Sequence, residues 1–270
     1  MRKFLAFVAA AAAVLTAGPS IARPLVAVID SGVARTAELA DVVIAEYDVA
    51  SAAAPRAEFQ PRYDHGTMVA TIIHRETKGA ADIISFRMDD PNGCPPSFAP
   101  PCQFSPHPVA AAIRKATELN VDVINISLAL QEHPVIVEAV REAAARGVMV
   151  VMAAGNNGND RPSNRNAALA GGTHAVLVGA VDKAGLPWSG TNRPEAASAG
   201  YEYVWRLGVM VPTRSAAGAA VAGTGTSFAA PIEAAHRLMA MEAARTATAV
   251  AGGSSSPVLA IGGALGGTRR

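Results

Sequence analysis

From residue 24 onward the chain alternates between two hydrophobic rhythms. Residues 25–30, LVAVID, are an unbroken apolar run ending in a carboxylate, the pattern of a strand buried on both faces. DVVIAEYDV (41–49), DIISFRM (82–88), VDVINISL (121–128), VMVVMAAG (148–155) and AVLVGAV (175–181) repeat that rhythm. Between them lie segments of helical period, at about 64–75, 108–120 and 134–147. The last of these opens on proline and closes on glycine, as helices do. A final long helix is predicted from Ser227 to about Arg245. Strands separated by helices imply βαβ units, hence an α/β fold with a largely parallel sheet covered on both faces.

The two ends break the pattern. MRKFLAFVAAAAAVLTAGPSIA (1–22) has a basic start, a short apolar run and small residues before Ala22, the build of a secretory signal peptide. The apolar run is shorter than a membrane span needs, so no stable anchor is expected after cleavage. Cleavage there removes Arg2 and Lys3 and no acidic residue, taking the net charge from +1 to −1. Residues 246–270, rich in Gly, Ala and Ser, have no helical period and read as a loosely packed tail. Residues 23–245 then form one domain.

Composition narrows the function by exclusion. Half the residues are apolar, enough for one large core, and 17% are charged with the two signs interspersed. No basic block marks a nucleic-acid surface. His65 and His74 are not at H-E-x-x-H spacing, AAGNNGN lacks GxGxxG, and GTGTS lacks the lysine of a P-loop. Cys94 and Cys102 flank PPSFAPP, and in an exported chain an even cysteine count predicts that they pair.

Polar residues gather where open α/β sheets keep their chemistry, at strand ends and helix starts. Asp30 ends the first strand in DSG, His65 opens a helix in DHGT, and Asn156 follows a strand in AAGN. Ser227 sits in GTGTSFAAP. Each alone fits a blander role: Asp30 and Asn156 as turn formers, His65 as a first-turn residue, Ser227 as a helix cap. All four together, in this order and on this fold, resemble the motifs of subtilisin-like serine peptidases. The order Asp, His, Ser separates that family from other folds carrying the same triad.

The resemblance spans roughly Pro24 to Arg245 and implies a three-layer α/β/α, doubly wound domain. It implies that Ser227 is a nucleophile, His65 its general base, Asp30 the group that orients His65, and Asn156 an oxyanion donor. Ser127, Leu128 and Ala129, with Ala153, Ala154 and Gly155, would line a cleft for an extended peptide or protein substrate. The expected protein is a monomer without cofactor, secreted or periplasmic. A non-catalytic binding module on the same fold, or another acyl transfer such as ligation or ester hydrolysis, stands as the alternative.

The chain also departs from the family. The first strand follows directly on the expected cleavage site, leaving no room for the propeptide of most secreted relatives, and the helix that usually precedes that strand is absent. Alanine stands at 129 where glycine is frequent, and GVMVP (208–212) replaces the usual APG. The segment after the His65 helix is too short for the usual calcium loop, so no structural metal is expected.

Overall fold

The computed structural model describes residues 22–50, 56–130, 132–195 and 200–253. The expected signal peptide, save Ala22, and the tail beyond Gly253 lie outside the described residues.

Seven strands form one parallel sheet: β1 (Leu25–Asp30), β2 (Val43–Asp48), β3 (Asp82–Arg87), β4 (Val123–Ile126), β5 (Met149–Ala153), β6 (Ala175–Val181) and β7 (Glu202–Leu207). Their spatial order is β2-β3-β1-β4-β5-β6-β7, so β1 lies between β3 and β4 and the winding reverses beside it. Parity along the strands divides the core. Ala27, Ile29, Ile124, Ile126 and Met152 pack against α2 (Pro106–Glu118), α3 (Pro134–Ala145) and α4 (Arg165–Gly171). Val26, Val28, Val123, Val151 and Val178 pack against α1 (His65–Glu76) and α5 (Thr226–Gly253). The fold is therefore a three-layer α/β/α sandwich, and strands buried on both sides are why the sequence shows apolar runs rather than alternation.

Parity also places the site. Asp30 continues the series Val26, Val28, so its side chain emerges on the face covered by α1 and α5. His65 is the first residue of α1 and Ser227 the second of α5. Both helix starts thus meet the carboxyl ends of the central strands.

Two differences from the sequence reading stand out. Helix α5 does not stop near Arg245 but continues to Gly253, so residues 246–253 are helix rather than tail. Pro231 is its sixth residue, so the hydrogen bond it cannot make is the one to the Ser227 carbonyl. Finally, β7, α4 and an antiparallel hairpin of β8 (Val211–Arg214) and β9 (Ala220–Gly223) occupy stretches with no predicted element. Among the described residues no helix is long and apolar enough to cross a membrane.

Candidate active site

Asp30 is fully buried. Its Oδ1 accepts the Ser31 N–H at 2.7 Å, and both carboxylate oxygens lie 2.9 Å from His65 Nδ1. An ionised carboxylate only accepts, so Nδ1 carries the proton and Nε2 is left as the basic nitrogen. Burial pushes the His65 pKa down, but the charge and hydrogen bond of Asp30 outweigh it and hold the imidazole above its ordinary 6.5.

Local backbone makes this pairing possible. A Cβ on Gly66 would stand 2.3 Å from the Gly32 carbonyl oxygen, so only glycine lets α1 start this close to the β1 loop. The Gly66 N–H donates to Ser31 Oγ at 3.2 Å, and that hydroxyl donates to the Tyr63 carbonyl at 3.3 Å. Behind the loop, Glu46 accepts the Val33 N–H at 3.2 Å, the Phe59 N–H at 2.9 Å and the Ser85 hydroxyl at 2.8 Å.

The start of α5 is fixed with equal care. Asn156 Oδ1 accepts both the N–H and the hydroxyl of Thr226, each at 2.9 Å. A backbone N–H can donate only to the amide oxygen, which settles the Asn156 orientation and leaves Nδ2 as a donor. The Gly155 N–H in turn donates to Thr226 Oγ1 at 3.1 Å. Ser227 lies in the first turn, where a helix leaves its N–H groups without internal partners. Its N–H and the Asn156 Nδ2 are thus two hydrogen-bond donors at this end of α5.

His65, Asn156 and Ser227 line one cavity of about 510 Å3, with Ser127, Leu128 and Ala129 on its wall. Phe228, next to the serine, sets its ring 5.6 Å from the His65 ring. No hydrogen bond joins Ser227 to His65 among the described residues, an arrangement common in unliganded sites. Ala153, Ala154 and Gly155, expected on the cleft, are buried and lie outside the walls of this cavity. Ala153 ends β5 inside the core, and a Cβ at Gly155 (φ +100°) would meet the Asn192 amide at 2.4 Å.

Several positioning residues escaped the sequence reading. Asn164, nearly fully buried, donates from Nδ2 to the carbonyls of Leu128 at 2.8 Å and Ala153 at 2.9 Å, clamping together the ends of β4 and β5. Thr226, Ser31 and Glu46 act through the contacts above. Thr226 and Ser31 adjoin predicted residues and were within reach; Asn164 and Glu46 carry no local signature. Cys94 and Cys102 are disulfide-bonded, as expected. Among the described residues no group of three or more His, Cys, Asp or Glu side chains is placed to hold a metal ion.

Comparison with known proteins agrees with this fold. The model of the Subtilase family (peptidase S8) matches residues 22–251, and the chain belongs to that family. Among curated proteins it is similar to Subtilisin-like protease 2 of Arthroderma otae, 28% identical over 186 residues that make up 66% of this chain and 41% of that protein. It is also similar to Subtilisin DY of Bacillus licheniformis, 34% identical over 125 residues, 46% of this chain and 43% of the relative. The chain thus matches less than half the length of either. Among solved structures, a cold adapted subtilisin-like serine proteinase superposes with a TM-score of 0.66 at 21% identity, covering 81% of this chain and 75% of the other. The Patellamide maturation protease PatA gives 0.63 at 21% identity, covering 83% and 80%. At such identities these structures speak for the fold alone.

Proposed function

We propose that this chain is a secreted serine endopeptidase, active as a monomer and processed at Ala22. The observation that carries the reading is the cavity shared by His65, Asn156 and Ser227, with Asp30 behind the imidazole. Ser227 Oγ attacks a peptide carbonyl while His65 Nε2 takes its proton. The carbonyl oxygen becomes an oxyanion, held by Asn156 Nδ2 and the Ser227 N–H. As the C–N bond breaks, His65 gives its proton to the leaving amine, and an acyl-enzyme remains on Ser227. Water, deprotonated by His65, then releases the acid and restores the serine. Asp30 keeps the proton on Nδ1 throughout and stabilises the imidazolium.

A peptide or protein substrate laid along Ser127–Ala129 as an extended strand would gain main-chain hydrogen bonds there. That two structural neighbours are described as maturation proteases fits this substrate class. Among the described residues, none that lines the cavity carries a charged side chain other than His65, which speaks against a nucleic-acid partner. No step needs a cofactor.

A fluorophosphonate incubated with the purified chain tests the assignment. Covalent modification of Ser227, found by peptide mapping and lost in Ser227→Ala, is the expected result. Labelling elsewhere, or none in a protein that melts cooperatively, would overturn it.

A further inference from the structure

The segment that carries Asn156 has little to hold it by packing. Residues 156–160, NNGND, are all exposed and bring no apolar side chain to bury. Such a loop is the first part of a fold to open unless hydrogen bonds tie it down. Asn156 grips Thr226 through its amide oxygen, but that contact leaves the backbone on either side of it unsupported. The support comes from a single side chain far along the sequence.

Asn192, almost fully buried, lies in the connection between β6 and β7. Its Oδ1 accepts two backbone N–H groups of the loop, that of Asn157 at 2.9 Å and that of Asn159 at 3.1 Å. Backbone N–H groups donate only to the amide oxygen, so Nδ2 points away from them and donates to Ser163 Oγ at 3.2 Å. The Asn192 N–H donates to the Gly155 carbonyl at 2.9 Å. One residue thus holds the backbone both before and after Asn156. Asn192 itself stands on the sheet. Its carbonyl accepts the hydroxyl of Tyr203 in β7 at 2.5 Å. Next to it, Thr191 Oγ1 accepts the N–H of Ala180 in β6 at 2.9 Å, and the Trp188 N–H donates to the Ala180 carbonyl at 2.9 Å. A buried amide with donor and acceptor both satisfied is a rigid strut.

We infer that Asn192 is a positioning residue, which holds the loop on both sides of Asn156 so that Asn156 Nδ2 meets the oxyanion formed at Ser227. The inference rests on the peptidase reading above. A donor serves an oxyanion only at about 2.7–3.1 Å, and a displacement of about 1 Å costs on the order of 100-fold in rate. Asn192 is not among the residues that line the cavity, so its effect falls on kcat rather than on substrate binding.

The test is a double-mutant cycle on the full chain with a peptide substrate. Asn192→Ala should lower kcat about 10- to 100-fold and leave KM within about threefold. Asn156→Ala alone should lower kcat about 100- to 1,000-fold. In that background Asn192→Ala should cost less than about threefold more, because no donor remains to be misplaced. The same loss in both backgrounds, or an unchanged kcat in folded Asn192→Ala, overturns the inference. Asn192→Ser, whose hydroxyl is one bond too short to reach both N–H groups, is the second variant and is read by the same cycle. If neither variant melts cooperatively, Asn192 serves the fold rather than the site, and the inference is overturned as well. Fluorophosphonate labelling separates the two levels. A wild-type chain that labels at Ser227 but shows additive losses refutes the role of Asn192 alone. A folded wild-type chain that resists labelling refutes the peptidase reading and the inference with it.

Discussion

Two buried carboxylates stand at the ends of neighbouring strands and do different things. Asp30 closes β1, and Asp89 lies two residues past the end of β3; both are fully buried. Asp30 faces an imidazole. Asp89 faces two guanidinium groups, Arg56 at 2.9 Å and Arg87 at 3.4 Å, and Arg56 also grips both oxygens of Asp48. Burial pushes the Asp89 pKa up while the two arginines pull it back. An arginine keeps its charge at any pH a protein tolerates, so the Asp89 cluster can only hold. An imidazole exchanges its proton near neutrality, and His65 borders a cavity where another molecule can receive it. Burial and pairing alone do not make a carboxylate functional; the partner's ability to titrate, and its access to solvent or substrate, do.

The sharpest way to break this contrast is to remove the negative charge at each carboxylate. Asp30→Asn should keep the fold and lower kcat by roughly 10^4-fold, because the amide no longer enforces the Nδ1–H tautomer or stabilises the imidazolium. Single-turnover kinetics on a peptide substrate would read it, and a loss of less than tenfold would remove Asp30 from the mechanism. Asp89→Ala should act on stability instead. It leaves Arg87 buried and unpaired, which costs about 3–5 kcal/mol, measurable as a lower denaturant midpoint, with little change in kcat/KM of the folded protein. A large activity loss in a stable Asp89→Ala chain would mean that the two clusters are coupled.

The smallest effect is a shift in pH dependence. The His65 pKa is raised by Asp30, so kcat/KM should climb through a midpoint above 6.5. The same shift has the opposite sign for stability. The protonated pair stabilises the fold fully below pH 6.5, and that contribution is lost as pH rises through the folded value. Activity should therefore rise over the range in which this part of the stability falls, seen by paired rate and denaturation measurements between pH 5 and 9. In Asp30→Asn the midpoint of any residual activity should move downward, since burial then acts unopposed. An unchanged midpoint would mean that His65 is not the group being titrated.

The same contrast governs what the sequence discloses. The central strands were legible because burial on both faces turns them into apolar runs; β6 matches its expected range to the residue. The edge was not. In β7 every residue is only partly buried, and β8 carries Pro212, which weakens any strand pattern. Asp30, His65, Asn156 and Ser227 could be found because each sits in a short motif where small neighbours leave space for close backbone approach. Asn164 could not, since its clamp on Leu128 and Ala153 exists only after distant segments meet. The Asp89 cluster was passed over for a related reason. Asp89-Asp90 looks like a solvated loop until Arg56 and Arg87 converge on it.

Ser227 and Asn156 come from parts of the chain made long after Asp30 and His65. During synthesis the β1 loop and α1 are available early, and the acid–base pair can assemble with nothing to activate. Ser227 arrives only when α5 docks against α1 and the central strands, and that same docking lets Thr226 fix Asn156. On the peptidase reading proposed above, chain order acts as a delay: a partly made or partly folded molecule holds a base without a nucleophile, and acquires the means to cut a peptide only once nearly all of its own backbone has been folded out of reach.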